Sequence, residues 1–216
     1  MGLEASWRGR LLDVGCGNGA FLARMKSLGW EALGVELDEK AANVAKTEFD
    51  VDVFIGTLEA AGFADDSFDA ITLSHVIEHV GDPMELLCRC RKLLRKGGRV
   101  VVTTPNADSL GHKIFQENWR GLEVPRHLMV FSLRSLAQLA SDAGLSIGAL
   151  RTSARGAHAF YLESRLLGAG RWKDDAWSRA GTRLKLESVS FQIVEEVAGV
   201  TRKPVGEEIY FEGIKE

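Results

Sequence analysis

Three glycines at alternate positions follow the first apolar run, and they constrain the fold of this chain more than any other feature. The segment Leu11–Gly19 reads LLDVGCGNG, with glycine at Gly15, Gly17 and Gly19. Glycine allows a sharp turn and lets a ligand approach the bare backbone. The N–H groups that open the following helix bind anions or carboxylates. A strand, a glycine turn and a helix in this order indicate a ligand-binding βαβ unit rather than a plain turn.

The alternation of short apolar runs with helical periods continues to about residue 150, which predicts an α/β fold with a parallel sheet. Expected strands are 10–14, 32–36, 51–55, 70–73, 99–103, 146–150 and a last one at 208–213, with helices near 19–28, 39–48, 83–94 and 133–143. Residues 156–200 are expected to be mostly helical, although Val189, Phe191 and Ile193 alternate as in a strand.

Length and composition favour one soluble globular domain over residues 1–216. The net charge is -3 and no Lys/Arg cluster stands out, so no nucleic-acid partner is expected. Three cysteines are too few for a disulfide framework and suggest a reducing compartment. The N-terminus lacks the apolar region of a secretory signal, and no stretch is long and apolar enough for a transmembrane segment. The predicted location is therefore cytoplasmic.

An acidic residue, Glu36, ends the second predicted strand, where a carboxylate can accept hydrogen bonds from both ribose hydroxyls of an adenosine. The glycines alone leave the cofactor open. Gly15, Gly17 and Ala20 also fit the G-x-G-x-x-A pattern of dinucleotide sites, so an NAD(P)-dependent oxidoreductase is one alternative. No Tyr-x-x-x-Lys acid pair supports that alternative.

The segment Leu11–Gly19 resembles motif I of the class I S-adenosylmethionine-dependent methyltransferases, in which an acid precedes the glycines. Asp13 supplies that acid, whereas dinucleotide folds usually have an apolar residue there. The resemblance implies that the loop of Asp13, Gly15, Cys16 and Gly17 passes beneath the methionine part of S-adenosylmethionine. It further implies that Glu36 binds the ribose and that Leu37 packs on the adenine.

The resemblance continues over about residues 10–150. It implies adenine contacts from Thr57, Leu58 and Glu59, with Thr57 replacing a common Asp. Further along, the segments 63–69 and 96–99 resemble the family's F-x-x-x-S-F-D and P-G-G patterns. The implied fold is a Rossmann-like seven-stranded, mostly parallel sheet with helices on both faces. Its last strand is antiparallel, and a helical insertion precedes that strand.

The chemically densest stretch is Ser74-His75-Val76-Ile77-Glu78-His79. On a helix, His75 and His79 would share a face, and the string fits the H-x-x-E-H zinc motif. No third ligand is clearly placed, so no metal is predicted. The stretch resembles the ubiquinone-biosynthesis O-methyltransferases, which implies that Ser74 and His75 line the sulfonium side and that His79 lies nearer the acceptor. A purely structural His79 is the alternative.

The acceptor side has two candidate segments, 105–131 and 156–200, which are predicted to form the acceptor site or a lid. His79 and His127 are the candidate general bases. Trp119 is either a core anchor or a pocket wall. Arg120 and Arg126 either bind an anionic group of the acceptor or carry solvated surface charges.

The predicted function is methyl transfer from S-adenosylmethionine, with S-adenosylhomocysteine as product, to a small-molecule acceptor at oxygen. A non-catalytic cofactor-binding protein is the second alternative. A homodimer is also considered. Little chain precedes the first strand, where the family usually has a helix that closes over the cofactor. We therefore expect a truncated chain, a degenerate enzyme or a lid supplied by residues 156–200.

Overall fold

Seven strands form one sheet in the computed structural model, which describes residues 9–173, 175–200 and 204–216. The strands are β1 (Arg10–Val14), β2 (Glu31–Glu36), β3 (Asp52–Ile55), β4 (Phe68–Ser74), β5 (Leu94–Pro105), β6 (Ser146–Ser153) and β7 (Glu208–Ile214). Their order across the sheet is β3-β2-β1-β4-β5-β7-β6. The expectation about the chain before the first strand falls on residues 1–8, outside the described residues.

The helices flank this sheet. They are α1 (Ala20–Ser27), α2 (Glu39–Phe49), α3 (Pro83–Leu93), α4 (Leu110–Phe115), α5 (Leu133–Asp142), α6 (Ala157–Gly168), α7 (Ala176–Arg179) and α8 (Thr182–Val200). Short 3-10 turns cover Ile77–His79, Gln116–Asn118 and Arg120–Leu122. None of the described helices combines the length and apolar character that a bilayer span requires.

Strands β1 to β5 are parallel, and β7 runs antiparallel between β5 and β6. The predicted Rossmann-like class with an antiparallel last strand is thus confirmed. One boundary differs in an informative way. Residues Lys96-Gly97-Gly98 precede the expected strand 99–103 but lie inside β5, in which Leu94 pairs with Phe68 and Arg99 pairs with Ala70. The extra residues form an irregularity in β5, and Gly97 takes a φ of 79° there.

Local signals position the first helices. Gly19, at φ 78°, precedes α1, and the Asp38 side chain caps α2 by accepting a hydrogen bond from the Lys40 N–H. Asp82 caps α3 by accepting from the Glu85 N–H, with Pro83 at the first helical position. These caps fix where each helix begins relative to the strand that precedes it.

An apolar cluster joins β1, β2 and β3 to α1 and α2. Its buried members are Leu11, Cys16, Leu22, Met25, Trp30, Ala32, Ala42, Ala45, Val51, Val53 and Ala70. Burial of this surface from water is the main term that stabilises the strand–helix packing. The cluster also holds the glycine turn that follows β1, because Cys16 belongs to both.

Contacts along the chain define two compact units, and the prediction of a single domain stays a prediction. Unit 1 consists of residues up to 103 together with 138–149 and 211–216, and unit 2 consists of 104–137 and 150–210. The long connection in unit 2 contains α4 and two 3-10 turns, and Asn106 forms a bridge with Phe131. Residues 189–193 lie in α8, so their alternation does not mark a strand and the mostly helical expectation holds there.

Candidate cofactor site

A cavity of about 490 Å³ lies in unit 1, beside the turns that follow the strands. Open parallel sheets bind their ligands at this position, outside the carboxyl ends of the strands. The lining residues are Val14, Gly15, Val35, Glu36, Leu37, Gly56, Thr57, Leu58, Glu59, Val76, Val80, Asp82, Glu85 and Leu86. They come from the ends of β1, β2 and β3, from the segment after β4 and from α3.

The glycine turn lies against the end of β2. The N–H groups of Gly15 and Cys16 both donate to the Val35 carbonyl oxygen, at 2.8 and 3.2 Å. Gly15 has a φ of 70°, and a Cβ there would come within 2.6 Å of the Val76 Cγ2 atom. Gly17, at φ 54°, has no atom within 4 Å of its Cβ position. The first glycine is therefore required by packing, whereas the second leaves open space.

Glu36 connects the glycine turn to the turn after β2. Its Oε2 atom accepts from the Gly17 N–H at 2.8 Å, and its Oε1 atom accepts from the Asp38 N–H at 2.9 Å. These two bonds fix the carboxylate on the cavity wall. A carboxylate oxygen accepts more than one hydrogen bond, so the group can still receive two hydroxyl donors.

Asp13 lies behind the turn rather than on the cavity wall. It is 4% exposed, and its Oδ1 atom accepts from the Thr72 hydroxyl on the neighbouring strand. Burial raises the pKa of Asp13 to about 7; the Thr72 hydrogen bond opposes this shift and the charge of Glu36 adds to it. Asp13 thus joins the end of β1 to β4.

The Cys16 side chain points into the apolar cluster, where its Sγ atom lies 2.5 Å from the Cβ position that Gly34 lacks. Burial, with the charges of Asp13 and Glu36, raises the pKa of the Cys16 thiol to about 12. A thiol with so high a pKa is a poor nucleophile. Cys16 therefore has a packing role, and any contact with a ligand would come from its backbone.

The predicted adenine contacts lie together on the wall. The Thr57 hydroxyl accepts from the Ala60 N–H at 3.2 Å and so caps a turn, while Leu58 is buried. Leu37 lines the same cavity and is 71% exposed. Leu37 and Leu58 therefore present apolar surface to a flat ring.

Ser74 and His75 hold the end of β4 against β5. The Ser74 hydroxyl oxygen accepts from the Thr103 hydroxyl at 3.1 Å, and the His75 N–H donates to the Thr103 carbonyl at 2.9 Å. His75 has a φ of 53°, and its Nδ1 atom lies 3.3 Å from the buried Glu78 carboxylate. The idea that His75 and His79 share a helical face is wrong, because the 3-10 turn begins only at Ile77.

The two candidate bases have different surroundings within their own units. In unit 1, the backbone N–H of His79 donates to the Val76 carbonyl at 2.9 Å. In unit 2, the His127 Nδ1 atom lies 2.7 Å from the Gly121 carbonyl, and Nε2 lies 3.5 Å from a Glu123 oxygen. A carbonyl only accepts, so Nδ1 carries a hydrogen in its bond to Gly121.

The remaining candidates of unit 2 have structural partners. Trp119 is 1% exposed, and its indole N–H donates to Glu207, so it is a core anchor. Arg120 contacts the carboxylates of Glu123 and Glu163, and Arg126 also pairs with Glu123. The carboxylates around Arg120 already neutralise its charge, which weakens the idea of an anion site there.

Sequence reasoning missed one wall of the cavity, formed by Val80, Asp82, Glu85 and Leu86. The Asp82-Pro83 pair indicated only a helix start, although that start follows the ligand-side end of β4. With Glu36 and Glu59, the cavity has four carboxylates, and none of its described lining residues is Lys, Arg or His. Its potential therefore favours a cationic ligand.

Comparison with known proteins agrees with this geometry. The family described as "Methyltransferase domain" has a model that matches residues 3–150. The ubiquinone biosynthesis O-methyltransferase of Cereibacter sphaeroides is 37% identical over 102 residues, which are 45% of this chain and 41% of that protein. The match thus spans less than half the length of this relative.

Solved structures support the fold alone. A SAM-dependent methyltransferase of Thermotoga maritima, described as a possible histamine N-methyltransferase, superposes with a TM-score of 0.64 at 21% identity. The superposition covers 96% of this chain and 82% of the Thermotoga maritima chain. The cyclase SpnF superposes with a TM-score of 0.63 at 18% identity, covering 96% and 74% of the two chains. One frame therefore accommodates different reactions.

Proposed function

The chain belongs to the methyltransferase domain family, and on that premise we propose that it transfers the methyl group of S-adenosylmethionine to a small-molecule acceptor at oxygen. The product would be S-adenosylhomocysteine. The observation that carries the proposal is the acidic cavity beside the glycine turn. Placement in the cytoplasm and the lack of a nucleic-acid partner remain predictions from composition.

The residues of the cavity suit this cofactor in charge and in chemical character. S-adenosylmethionine carries a sulfonium and an ammonium group against one carboxylate, so it is a net cation. Four carboxylates around the cavity attract such a ligand. Glu36 is held where it can accept two ribose hydroxyls, and Leu37 and Leu58 offer apolar surface to the adenine.

The same charges count against the NAD(P) alternative. A pyrophosphate is an anion, and sites that bind it supply N–H donors or basic side chains. Here the Gly15, Cys16 and Gly17 N–H groups already donate to Val35 and Glu36. Four carboxylates around the cavity would repel the phosphates. We therefore rank the oxidoreductase below the methyltransferase.

The proposed reaction needs little covalent work from the protein. When bound, the cofactor supplies an electrophilic methyl group on a cationic sulfur. The chain would bind the adenosine through Glu36 and the apolar wall, fix the methionine portion along the glycine turn and exclude water from it. His127 is the first candidate to accept a hydroxyl proton, and the Gly121 carbonyl orients its ring through Nδ1. His79 stays the second candidate.

The choice of oxygen follows the ubiquinone biosynthesis O-methyltransferases, which the chain matches over 102 residues. Whether residues 105–131 and 156–200 form the acceptor site stays a prediction, since acceptor pockets differ between proteins that share this frame. Pairs of candidate acceptors that differ only in a hydroxyl or an amine would test the choice of atom. Methylation of the amine alone would reject oxygen.

Calorimetric titration tests the cofactor assignment. We expect S-adenosylmethionine and S-adenosylhomocysteine to bind and NADH not to bind. Replacing Glu36 by Gln keeps one acceptor oxygen but removes the charge, so affinity should fall about tenfold to a hundredfold, the loss typical of a charged hydrogen bond. Glu31→Gln is the matched control, because Glu31 lies on the same strand and forms only an exposed ion pair with Arg10.

Three outcomes are distinguishable. Loss of affinity in Glu36→Gln but not in Glu31→Gln supports the site. Binding of NADH in preference to S-adenosylmethionine would revive the oxidoreductase. Cofactor binding without methyl transfer to any acceptor of a broad panel would instead favour a non-catalytic cofactor-binding protein.

A further inference from the structure

Helix α8 presents apolar side chains on two opposite sides. Ser188, Phe191 and Glu195 are buried. On that side, the Phe191 ring lies 5.0 Å from the Tyr161 ring of α6, and Gln192 binds His158 beside it. Residues two apart on a helix point about 200° apart, so Val189 and Ile193 face away from Phe191.

This outer side is an aliphatic stripe. Its members are Leu186, Val189, Ile193, Val197 and Val200, with exposures of 64%, 45%, 55%, 61% and 85%. A helix that is apolar on two sides is normally covered on both. A contiguous exposed apolar stripe with polar flanks is typical of a protein or membrane contact.

The spacing of the stripe indicates what covers it. The steps along the chain are three, four, four and three residues, so the pattern reads the same in both directions from Ile193. Two antiparallel copies would place Leu186 opposite Val200 and Val189 opposite Val197, with Ile193 at the centre. Such a self-complementary contact is the requirement of a two-fold symmetric dimer.

The charges beside the stripe agree with an antiparallel arrangement. Arg183 is paired with Glu187 at 2.9 Å. Lys185 is near the start of α8, with its Nζ atom 5.4 Å from the Trp177 ring, and Glu196, which accepts from the Gln192 amide, is near its end. Lys185 and Glu196 lie eleven residues apart and therefore on the same flank. Antiparallel copies bring Lys185 of each towards Glu196 of the other, whereas parallel copies would place them on opposite flanks, where they do not meet.

A groove lies beside the stripe, and Leu186 belongs to both. It has a volume of about 730 Å³ and is lined by Tyr161, Arg183, Leu186, Glu187, Ser190, Phe191 and Val194. The membrane alternative is weaker, because interfacial helices carry many basic residues, whereas α8 has two basic residues, Arg183 and Lys185, and three acidic ones, Glu187, Glu195 and Glu196.

We propose that the stripe on α8 is the contact surface of a homodimer in which two copies of α8 pack antiparallel about Ile193. The contact from 186 to 200 is only about 21 Å long, so the interface is small and the dissociation constant should be in the micromolar range. The proposal is independent of the cofactor assignment.

Sedimentation equilibrium of the full chain over a range of concentrations tests the dimer. Ile193→Glu places two carboxylates face to face at the two-fold axis, and the dissociation constant should rise at least about tenfold. Ile114→Glu in α4 is the matched control, because Ile114 is 53% exposed and Ile193 is 55% exposed. That control should dimerise as the unchanged chain does.

A mixing experiment separates repulsion from misfolding. Ile193→Lys should also be monomeric alone, but mixed with Ile193→Glu it should form a heterodimer, because opposite charges then meet at the axis. A chain that is monomeric at every concentration, or mixed variants that stay monomeric, would overturn the proposal. Sedimentation of a monomeric chain with anionic phospholipid vesicles, lost in Ile193→Glu, would assign the stripe to a membrane surface instead.

Discussion

The two units both bury carboxyl groups but hold them by different means. In unit 1, Asp13 is bound by Thr72, and the two residues are register partners on adjacent parallel strands. In unit 2, Glu207 accepts from the Trp119 indole and the Gly111 N–H, which lie 88 and 96 residues earlier in the chain. Strand register thus sets the polar partners in unit 1, whereas tertiary packing sets them in unit 2.

A second acid makes the contrast sharper. The Glu207 N–H donates to the Glu195 carboxyl at 3.2 Å, and Glu195 is 1% exposed. Burial, the charge of Glu207 and the hydrogen bond between the two acids raise the pKa of Glu195 to about 9. Burial also raises the pKa of Glu207, although its donors oppose the shift. Near neutral pH, Glu195 therefore keeps a proton and Glu207 is the acceptor of the pair.

The largest effect is expected when the centre of unit 2 is removed. Glu207→Ala leaves the Trp119 and Gly111 donors buried without an acceptor and opens a cavity, so unfolding should require about 3 to 5 kcal/mol less. Denaturant unfolding followed by circular dichroism would measure this. A loss within about 0.5 kcal/mol, the range of an ordinary surface change, would contradict the role of Glu207.

Glu195→Gln is the matched variant, because Gln resembles a protonated Glu. Since the native pKa lies above the unfolded one, the stabilising contribution of Glu195 is complete below its ordinary pKa of 4.5 and is lost as pH rises towards about 9. Glu195→Gln should therefore remove part of the decline in stability between these limits. If the free energy of unfolding declines equally with pH in the variant and in the unchanged chain, Glu195 is not protonated in the folded state.

The fold of unit 1 was predictable because its signals are local. Gly15, Asp38 and Asp82 act through turn geometry and helix caps, which depend on a few neighbouring residues. The acid that terminates β2 was predicted from its position, and Glu36 does lie on the cavity wall. Unit 2 depends on pairs such as Trp119 with Glu207, and no local pattern predicts a hydrogen bond across 88 residues.

The next largest effect concerns the glycine turn. Gly15→Ala combines a left-handed torsion with a clash against Val76, so we expect a stability loss of about 2 to 3 kcal/mol and weaker binding of S-adenosylhomocysteine. Gly17→Ala meets no atom within 4 Å and should cost only about 1 kcal/mol. Thermal unfolding and calorimetry would separate the two.

The affinity of Gly17→Ala is the informative number. If a ligand passes close to the Gly17 backbone, affinity should fall although the fold is nearly intact. Unchanged affinity would show that the ligand does not approach Gly17. The resemblance to the methyltransferases implies that Gly17 lies beneath the methionine part of the cofactor, and that implication would then be wrong.

A smaller effect is expected from the pH dependence of Asp13. Its native pKa of about 7 lies above the ordinary value, so its stabilising contribution is complete below pH 3.8 and is lost as pH rises towards 7. Compared with Asp13→Asn, the unchanged chain should lose about 1 kcal/mol more between about pH 5 and pH 6. Asn retains an acceptor for the Thr72 hydroxyl. Identical pH profiles would show that Asp13 is ionised in the fold.

Even in unit 1, the sequence did not predict which side chains of the site residues face the cavity. The resemblance included Asp13 and Cys16 among the cofactor residues, but neither lines the cavity, because Asp13 accepts a hydrogen bond from Thr72 on the neighbouring strand and Cys16 packs against Gly34. Asp82 and Glu85 do line the cavity, although neither belongs to a glycine motif. The order of motifs along the chain predicts the location of a site, while the direction of each side chain depends on packing.

The smallest effect on stability should come from replacing Leu37. This variant separates ligand binding from folding in unit 1, because the exposed Leu37 side chain contributes little to the stability of the fold. At 71% exposure, Leu37→Ala should change the unfolding free energy by less than about 0.5 kcal/mol. If adenine packs on Leu37, the variant should bind S-adenosylhomocysteine about threefold to tenfold more weakly, the cost of losing about 1 kcal/mol of apolar contact. Leu28→Ala, at the end of α1 and outside the cavity, is the control. Equal affinities in the two variants would show that the adenine does not pack on Leu37. The adenine would then contact another part of the cavity wall, and Leu37 would have no part in the site.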